Sequence, residues 1–456
     1  MKRRELLIYT ITLLYPFAAF SQQTPSSFSE AIKRAQEQFK KSEQQAPPPS
    51  PQQAAETLNK SGFDKYLHSD YDGAIADYTK AIETNPKYSE AYCNRGNAKL
   101  LKRDYDGAYA DGNQAIVLEP KNAEAYSVRG QAKSGKSDYD GAITDFNQAI
   151  SLRPSSSYFT HRAFAKRSKH DLDGAIVDFT KAIELNPTDP DTLYQWRGEA
   201  KRLKYDLDGA IADYTQAIAL QPTNAFYRHY RGEAEERKSD YNGALADYNK
   251  EIELEPKFAG GYIDRGGLEV IQENYGGAMV DFNKAIEVDP KTYWIAFAKR
   301  GQIKEFQGDL DGALQDFLQC EAVSTYRALT DHAHLRIWVI RVRKGQTPQA
   351  NQELSDYLAK RSNGKPEDWL PRVAQFLLGQ MTEPNLLAAA ASPDEYLSRS
   401  QHCLAWYYCG LKQLLSGNKK LAAQDFAKSV ATGQTALSEY ACAKFESKAL
   451  GVAQAQ

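Results

Sequence analysis

Apolar and small residues return along this chain at helical spacing. Ala74, Ile75, Tyr78, Ala81 and Ile82 fall on one face of a helix, with polar residues between them. The stretch then recurs. A Gly-Ala pair has its glycine at 73, 107, 141, 174, 209, 243, 277 and 312, in steps of 33 to 35 residues. Prolines keep the same phase at 86, 120, 154, 187, 222, 256 and 290. Asp70 and its counterparts stand where the helix carrying each pair needs an N-cap, and the proline ends that helix. The pattern predicts two antiparallel helices per period. One such hairpin cannot bury its apolar face alone, so neighbouring periods must stack to make the core.

A 34-residue period with these marks resembles the tetratricopeptide repeat, or TPR. Its pattern asks for a large residue at position 4, Gly at 8, Ala at 20, an aromatic at 24, Ala at 27 and Pro at 32. The period from Ala123 supplies Tyr126, Gly130, Ala142, Phe146, Ala149 and Pro154. That from Asp191 supplies Tyr194, Gly198, Ala210, Tyr214, Ala217 and Pro222. Eight units are expected over residues 55–327. The resemblance implies an all-α fold, a right-handed TPR superhelix of antiparallel helix hairpins whose inner groove is lined by the first helix of each hairpin.

Two departures from the common pattern recur together. Position 7, usually Leu, is Arg in seven periods: Arg95, Arg129, Arg162, Arg197, Arg231, Arg265 and Arg300. Position 23 is Asp in all eight: Asp77, Asp111, Asp145, Asp178, Asp213, Asp247, Asp281 and Asp316. A basic ladder could serve an anion, but a charge between helices needs a partner. Each Arg is therefore expected to pair with the Asp of its own hairpin. The first period has Ser61 in place of the Arg.

The ends of the chain read differently. Met1 to Arg4 is basic, Leu6 to Leu14 is apolar, Pro16 breaks the run, and Ala19-Phe20-Ser21 offers small residues before a cut at Gln22. Residues 1–21 are thus expected to be a signal peptide, and the chain to be exported, periplasmic or secreted. The rival reading is a retained anchor, for which a proline-containing run from Leu6 to Phe20 is short. After cleavage the chain is not expected to be an integral membrane protein. Residues 22–54 read as a linker, with a short helix over Ser29 to Lys41 and a stiff Pro-rich stretch from Ala46 to Pro51. Residues 328–456 read as a divergent TPR-like helical region with a capping helix, within which Trp406, Gly410, Ala422 and Phe426 keep the repeat's phases. Asp368-Trp369, Phe376 to Gly379, Cys403 to Gly410 and Ser438-Glu439-Tyr440 resemble the tail of the bacterial new-lipoprotein-I type of periplasmic TPR adaptor. That family is lipid-anchored through a cysteine absent here, so the resemblance implies an envelope adaptor without the anchor.

Composition narrows the function classes. Lys+Arg total 57 against 59 Asp+Glu, without the basic excess of a nucleic-acid binder. Five cysteines are few for a disulfide scaffold and odd in number, and they read best as buried free thiols. Gly130 to Ser137 matches the phosphate-cradling G-x4-G-K-[ST] loop literally, but no strand precedes it and sister periods place Gly96-Asn97-Ala98-Lys99 in the same phase. The repeated Asp-Tyr-Asp-Gly lacks the later ligands of a calcium loop and reads as capping. His332 and His334 are two apart, on different sides of a helix. No catalytic residue, cofactor or metal site is assigned, and no enzyme is read.

Recognition remains. The TPR resemblance places positions 2, 5, 9, 12 and 13 of each first helix in the groove. The Lys at 5 and Asn at 9 that clamp acidic peptide tails in that family do not occur together here. The middle periods are richest in side chains able to hold a peptide: Thr160, Phe164, Arg167, Gln195, Glu199, Arg202, Phe226, His229, Glu233 and Glu236. Mixed charge with aromatics suits an extended peptide or a partner helix. The expectation is a non-catalytic exported scaffold or adaptor for protein or peptide partners. The alternative is a solenoid that holds peptidoglycan-type glycan or peptide directly.

Overall fold

A computed structural model describes residue 33 and residues 50–185, 187–290, 294–323, 327–361, 369–434 and 437–451. The expected signal peptide, and the linker up to residue 49 apart from residue 33, lie outside the described residues. Among the described residues the regular elements are all α-helices. They group into two compact units, residues 1–154 and 155–456.

The first unit holds three hairpins: α1 (Pro51–Leu67) with α2 (Tyr71–Thr84), α3 (Ser89–Leu101) with α4 (Tyr105–Leu118), and α5 (Ala123–Gly135) with α6 (Tyr139–Leu152). The second unit begins with five more: α7 (Ser156–Ser168) with α8 (Leu172–Glu184), α9 (Pro190–Leu203) with α10 (Leu207–Leu220), α11 (Ala225–Arg237) with α12 (Tyr241–Leu254), α13 (Ala259–Ile271) with α14 (Tyr275–Val288), and α15 (Trp294–Phe306) with α16 (Leu310–Val323). Seven helices complete it: α17 (Arg327–Arg343), α18 (Thr347–Lys360), α19 (Leu370–Leu377), α20 (Glu383–Ala389), α21 (Glu395–Leu415), α22 (Lys419–Ala431) and α23 (Ser438–Ala449). The repeats start earlier than expected. Pro51 is the first residue of α1, and Ser50 and Gln53 form a capping box ahead of it. The expected linker therefore stops at 50, not 54. At the far end, Arg327 opens α17 and does not close the eighth hairpin.

Each hairpin turn is built the same way. Asp70, Asp104 and Asp138 accept from the backbone N–H of the glycine three residues on, at 2.9, 2.9 and 3.0 Å. The residue before each cap is left-handed, Ser69, Arg103, Ser137, His170, Tyr205, Ser239 and Glu273 having φ between 60° and 64°. The two helices of a hairpin meet closely because position 8 is glycine in seven hairpins and the small Ala163 in the fourth. A Cβ on Gly130 would stand 2.8 Å from the ring of Phe146. The aromatics above these glycines, such as Phe146, Tyr214, Phe282 and Phe317, are wholly buried.

The arginine ladder pairs within hairpins, as expected. Arg197 donates through Nε and Nη2 to the two oxygens of Asp213 at 2.9 and 2.6 Å, and the same fork recurs from Arg95–Asp111 to Arg300–Asp316. In the first hairpin Ser61 and Lys65 replace the guanidinium, each 2.7 Å from Asp77. A second cation reinforces most rungs: Lys99, Lys133, Lys166, Lys201 and Lys304 lie 2.8–2.9 Å from their aspartates. The sixth and seventh hairpins break this rule, with Glu235 and Glu269 at the lysine's position. Burial and the neighbouring Asp247 push Glu235 up to about 7. Burial and Asp281 raise Glu269 likewise.

The C-terminal region has its own core around Trp338, Leu370, Phe376, Tyr407, Tyr408 and Phe426. Phe317 and Cys320 of α16 pack with Ile337 and Ile340 of α17, so the tail covers the eighth hairpin. Arg336 is fully buried and bonds Glu305 of α15 and the Tyr407 hydroxyl. The α21–α22 pair keeps the repeat's close approach, a Cβ on Gly410 standing 2.8 Å from Phe426. On α23 burial would push Glu439 up, but the charge and hydrogen bond of His332, 3.2 Å away, and the Ser438 hydroxyl outweigh it and hold Glu439 down at about 2. All five cysteines are buried free thiols.

Two outcomes are expected. Arg265→Ala leaves Asp281 facing Glu269 and should destabilise the chain by about 3–5 kcal/mol in chemical denaturation. Arg197→Ala should cost less because Lys201 remains, and Arg197→Leu combined with Asp213→Leu should recover much of the loss of Arg197→Leu alone. Equal costs for the two alanine variants would contradict the role given to Lys201. The second outcome concerns acid. The Glu439 carboxylate sits below its unfolded value, so its contribution is present above pH 4.5 and fades as pH falls toward 2. Glu439→Gln should flatten the fall in melting temperature across that window, and an unchanged fall would show that the carboxylate is not what acid removes.

Candidate functional site

The second unit carries the middle first helices, α7, α9 and α11, and with them every groove residue expected from the sequence. Their spacing follows from the repeat: positions 5, 9 and 12 are about one turn apart and project from one side of each first helix. On α7 and α9 this side is an aromatic and cationic stack. Phe164 meets Phe179 and Trp196 edge-on, with ring centres 5.4 and 5.2 Å apart. The Arg167 guanidinium lies 5.3 Å from the centre of the Phe164 ring and 4.9 Å from that of Trp196. Half-buried Gln195 stands one residue before Trp196 on α9.

A run of charged groups leads on to α11. Arg202 forks onto Glu199 at 2.8 and 2.7 Å, and its other nitrogen lies 3.7 Å from Glu233. The Tyr214 hydroxyl donates to Glu199 at 3.3 Å. Glu233 stands 3.8 Å from Nε2 of His229, whose Nδ1 is 3.0 Å from Asp264 of α13 and 3.6 Å from Glu251 of α12. Burial disfavours a charged imidazole there, but Asp264 and Glu251 outweigh it and raise His229 to about 10. Glu236 accepts from the Tyr248 hydroxyl at 3.0 Å, and burial raises its carboxyl. Two expected residues stand apart from this run. Thr160 turns back to the Ser156 carbonyl of its own helix at 2.8 Å. Phe226 is 47% exposed and touches Phe258 edge-on.

The equivalent face of α15 is already filled. Gln302, at position 9, donates to the Ser438 carbonyl at 3.1 Å and to the Cys442 sulfur at 3.0 Å, both on α23. Phe306, at position 13, stacks on Phe445 with ring centres 4.3 Å apart. Lys448 and Lys444 reach Glu273, just past α13, at 2.6 and 3.2 Å. The last helix among the described residues thus covers this face of the eighth hairpin.

Position rules alone missed Trp196, Glu251 and Asp264. Trp196 and Asp264 occupy position 6, which the groove rule does not count. Glu251 had a signal: it stands at position 27, where Ala81, Ala115, Ala149, Ala182, Ala217 and Ala285 stand in other hairpins. The segment that mimics a phosphate loop runs from the last turns of α5 into the hairpin turn, where Lys136 pairs with Asp106 at 2.6 Å. His332 and His334 diverge, the first toward Glu439 and the second toward Glu321 at 3.3 Å.

Comparison with known proteins agrees with this build. Residues 65–102 match the family model described as TPR repeat, and residues 123–156 the model described as tetratricopeptide repeat. The chain therefore carries tetratricopeptide repeats. No curated protein matches it. Among solved structures, the C-terminal part of a TPR repeat-containing protein from Cytophaga hutchinsonii is similar at 19% identity and a TM-score of 0.45, over 52% of this chain and 98% of that one. The Arabidopsis OM64 TPR domain is similar at 28% identity and a TM-score of 0.25, over 26% and 98%. The first TPR of Spaghetti (RPAP3), bound to the HSP90 peptide SRMEEVD, is similar at 25% identity and a TM-score of 0.25, over 27% and 95%.

Proposed function

We propose that this chain is a non-catalytic, exported scaffold that binds a helical segment of a protein partner along the first-helix face of α7, α9 and α11. The observation that carries this reading is the seat of α23 on α15. A helix bearing an aromatic, a backbone carbonyl and two lysines occupies positions 9 and 13 of one hairpin and the end of its neighbour. The first-helix face of the fourth to sixth hairpins offers the Phe164 and Trp196 rings, the Arg167 guanidinium and the Glu199 and Glu233 carboxylates, features that receive such a helix. Tetratricopeptide repeats are in general protein-interaction modules without catalysis, which supports the same conclusion. The missing Lys and Asn clamp argues against an acidic peptide tail as the occupant.

The basic and apolar start of the sequence supports export, and the tail's likeness to the new-lipoprotein-I type supports an adaptor that gathers enzymes in a cell envelope. No helix among the described residues is long and apolar enough to cross a membrane.

The test uses the chain from Gln22 onward, immobilised and exposed to envelope extract, with retained proteins identified. Phe226→Ala removes an exposed ring and should leave the melting temperature within about 1 °C, since surface changes stay within roughly 0.5 kcal/mol. It should lower retention of the captured partner at least about tenfold, as loss of an aromatic anchor does. A variant that retains the same proteins equally well would move the binding face elsewhere. Sedimentation with purified cell wall, with no protein captured, would overturn the reading in favour of a glycan ligand.

A further inference from the structure

The sixth hairpin departs from its sisters at one interior position. Position 27 sits where two helices come closest, and it is a wholly buried alanine in six hairpins and Cys320 in the eighth. In the sixth it is Glu251, whose side chain is 1% exposed. The facing residue on α13 has changed with it. Gly261 occupies position 3, where the other hairpins that follow a neighbour place Ala91, Ala125, Tyr158, Leu193, Tyr227 and Ala296, and a Cβ there would stand 3.3 Å from the Glu251 carboxyl carbon. A carboxylate has been admitted to the closest approach of the fold, and the neighbouring backbone leaves room for it.

That carboxylate lacks hydrogen bonds. Neither oxygen of Glu251 has a hydrogen-bond partner, and neither does Nδ1 of His229, which points at it. His229 lies within contact distance of Asp264 and Glu251, but neither contact has hydrogen-bond alignment. Among the described residues the one cation facing Glu251 is the His229 imidazole at 3.6 Å, and a buried acid held only by so loose a contact is costly. One imidazole here faces three carboxylates, Glu233, Glu251 and Asp264, and the guanidinium of Arg202 approaches only Glu233.

The arrangement has the size of a metal site. One nitrogen and two carboxylate oxygens, from three helices, all lie within 4.8 Å of one another. Nδ1 is 3.0 Å from one oxygen and 3.6 Å from the other. Ligands held about 2.0–2.2 Å from a tetrahedral zinc ion stand roughly 3.3 Å apart. Nε2 points toward Glu233 at 3.8 Å, the place of the outer carboxylate that orients a metal-bound imidazole. His229 and Asp264 are partly exposed, at 22% and 26%, so an ion can enter and a fourth position can open outward. We propose that His229, Glu251 and Asp264 bind one divalent transition-metal ion of the zinc class between α11, α12 and α13. The mixed nitrogen and oxygen donors suit that class better than calcium or magnesium, which take oxygen alone. His229 and Glu233 also lie on the proposed partner face, but the metal titration needs no partner, so the two readings fail separately.

The experiment titrates the chain from Gln22, freed of metal by chelation, with Zn²⁺ in a calorimeter and with Co²⁺ by visible absorption. One ion per chain is expected, with a rise in melting temperature on Zn²⁺ addition. Glu251→Ala restores the residue of the sister hairpins and should fold at least as stably without metal, yet lose affinity by a factor on the order of 100 or more; Asp264→Asn should do the same. Glu233→Gln should weaken binding about tenfold to a hundredfold while keeping the stoichiometry. Absence of saturable binding by the unaltered chain would overturn the proposal. So would undiminished binding by both Glu251→Ala and Asp264→Asn.

Discussion

A carboxylate enclosed between two helices must be met by a cation, and that need fixes the geometry of this protein. From the second hairpin to the eighth, an aspartate on the second helix receives a two-pronged arginine from the first, sixteen residues earlier in each case. The fork tolerates little sliding or rotation of one helix against the other, because both of its nitrogens must meet both oxygens. With that register set, the glycine at position 8 falls under the aromatic at position 24, and the small residues at 20 and 27 meet their neighbours. The apolar core contributes the greater part of the stability. The ion pair selects which of the possible packings that core adopts.

Much of this was legible in the sequence because it is stated eight times. A cap three residues ahead of a glycine, or an arginine always accompanied by an aspartate, stands out when it returns at each period. Features stated once were harder to read. Pro51 looked like the end of a stiff extended stretch, although Ser50 and Gln53 already spelled the capping box that makes it the first residue of α1. The groove positions fell on the expected helices, but their partners did not follow from position numbers. Arg167 is held between Phe164 and a tryptophan one place outside the counted set. The fold-back of α23 joins Gln302 to Cys442 across 140 residues, and no local periodicity encodes such a contact.

The face of α7, α9 and α11 and the cluster around His229 form a gradient of specialisation along the second unit. The fourth and fifth hairpins keep the full ladder with its supporting lysines. The sixth and seventh exchange those lysines for glutamates, and the sixth admits a further carboxylate to its interior. By the eighth the first helix is bound to the chain's own C-terminal helix. The supporting lysine pairs are missing where the sequence becomes individual, in the sixth and seventh hairpins, and Lys304 restores one in the eighth.

The turn-to-turn links of the first unit carry one more implication. Lys102 reaches back to Asp72 and Lys136 to Asp106, each across 30 residues, so consecutive hairpins are stitched by the same bond. Excising residues 89–122 would bring Lys136 to Asp72 and leave no stitch open. Chain length is therefore a free variable in the first unit, where one module can be dropped or copied without rewriting its neighbours. Between α15 and α23 it is a fixed quantity, because α23 must return to one particular helix, and a helical pair more or less in that stretch would leave it short of its seat or beyond it.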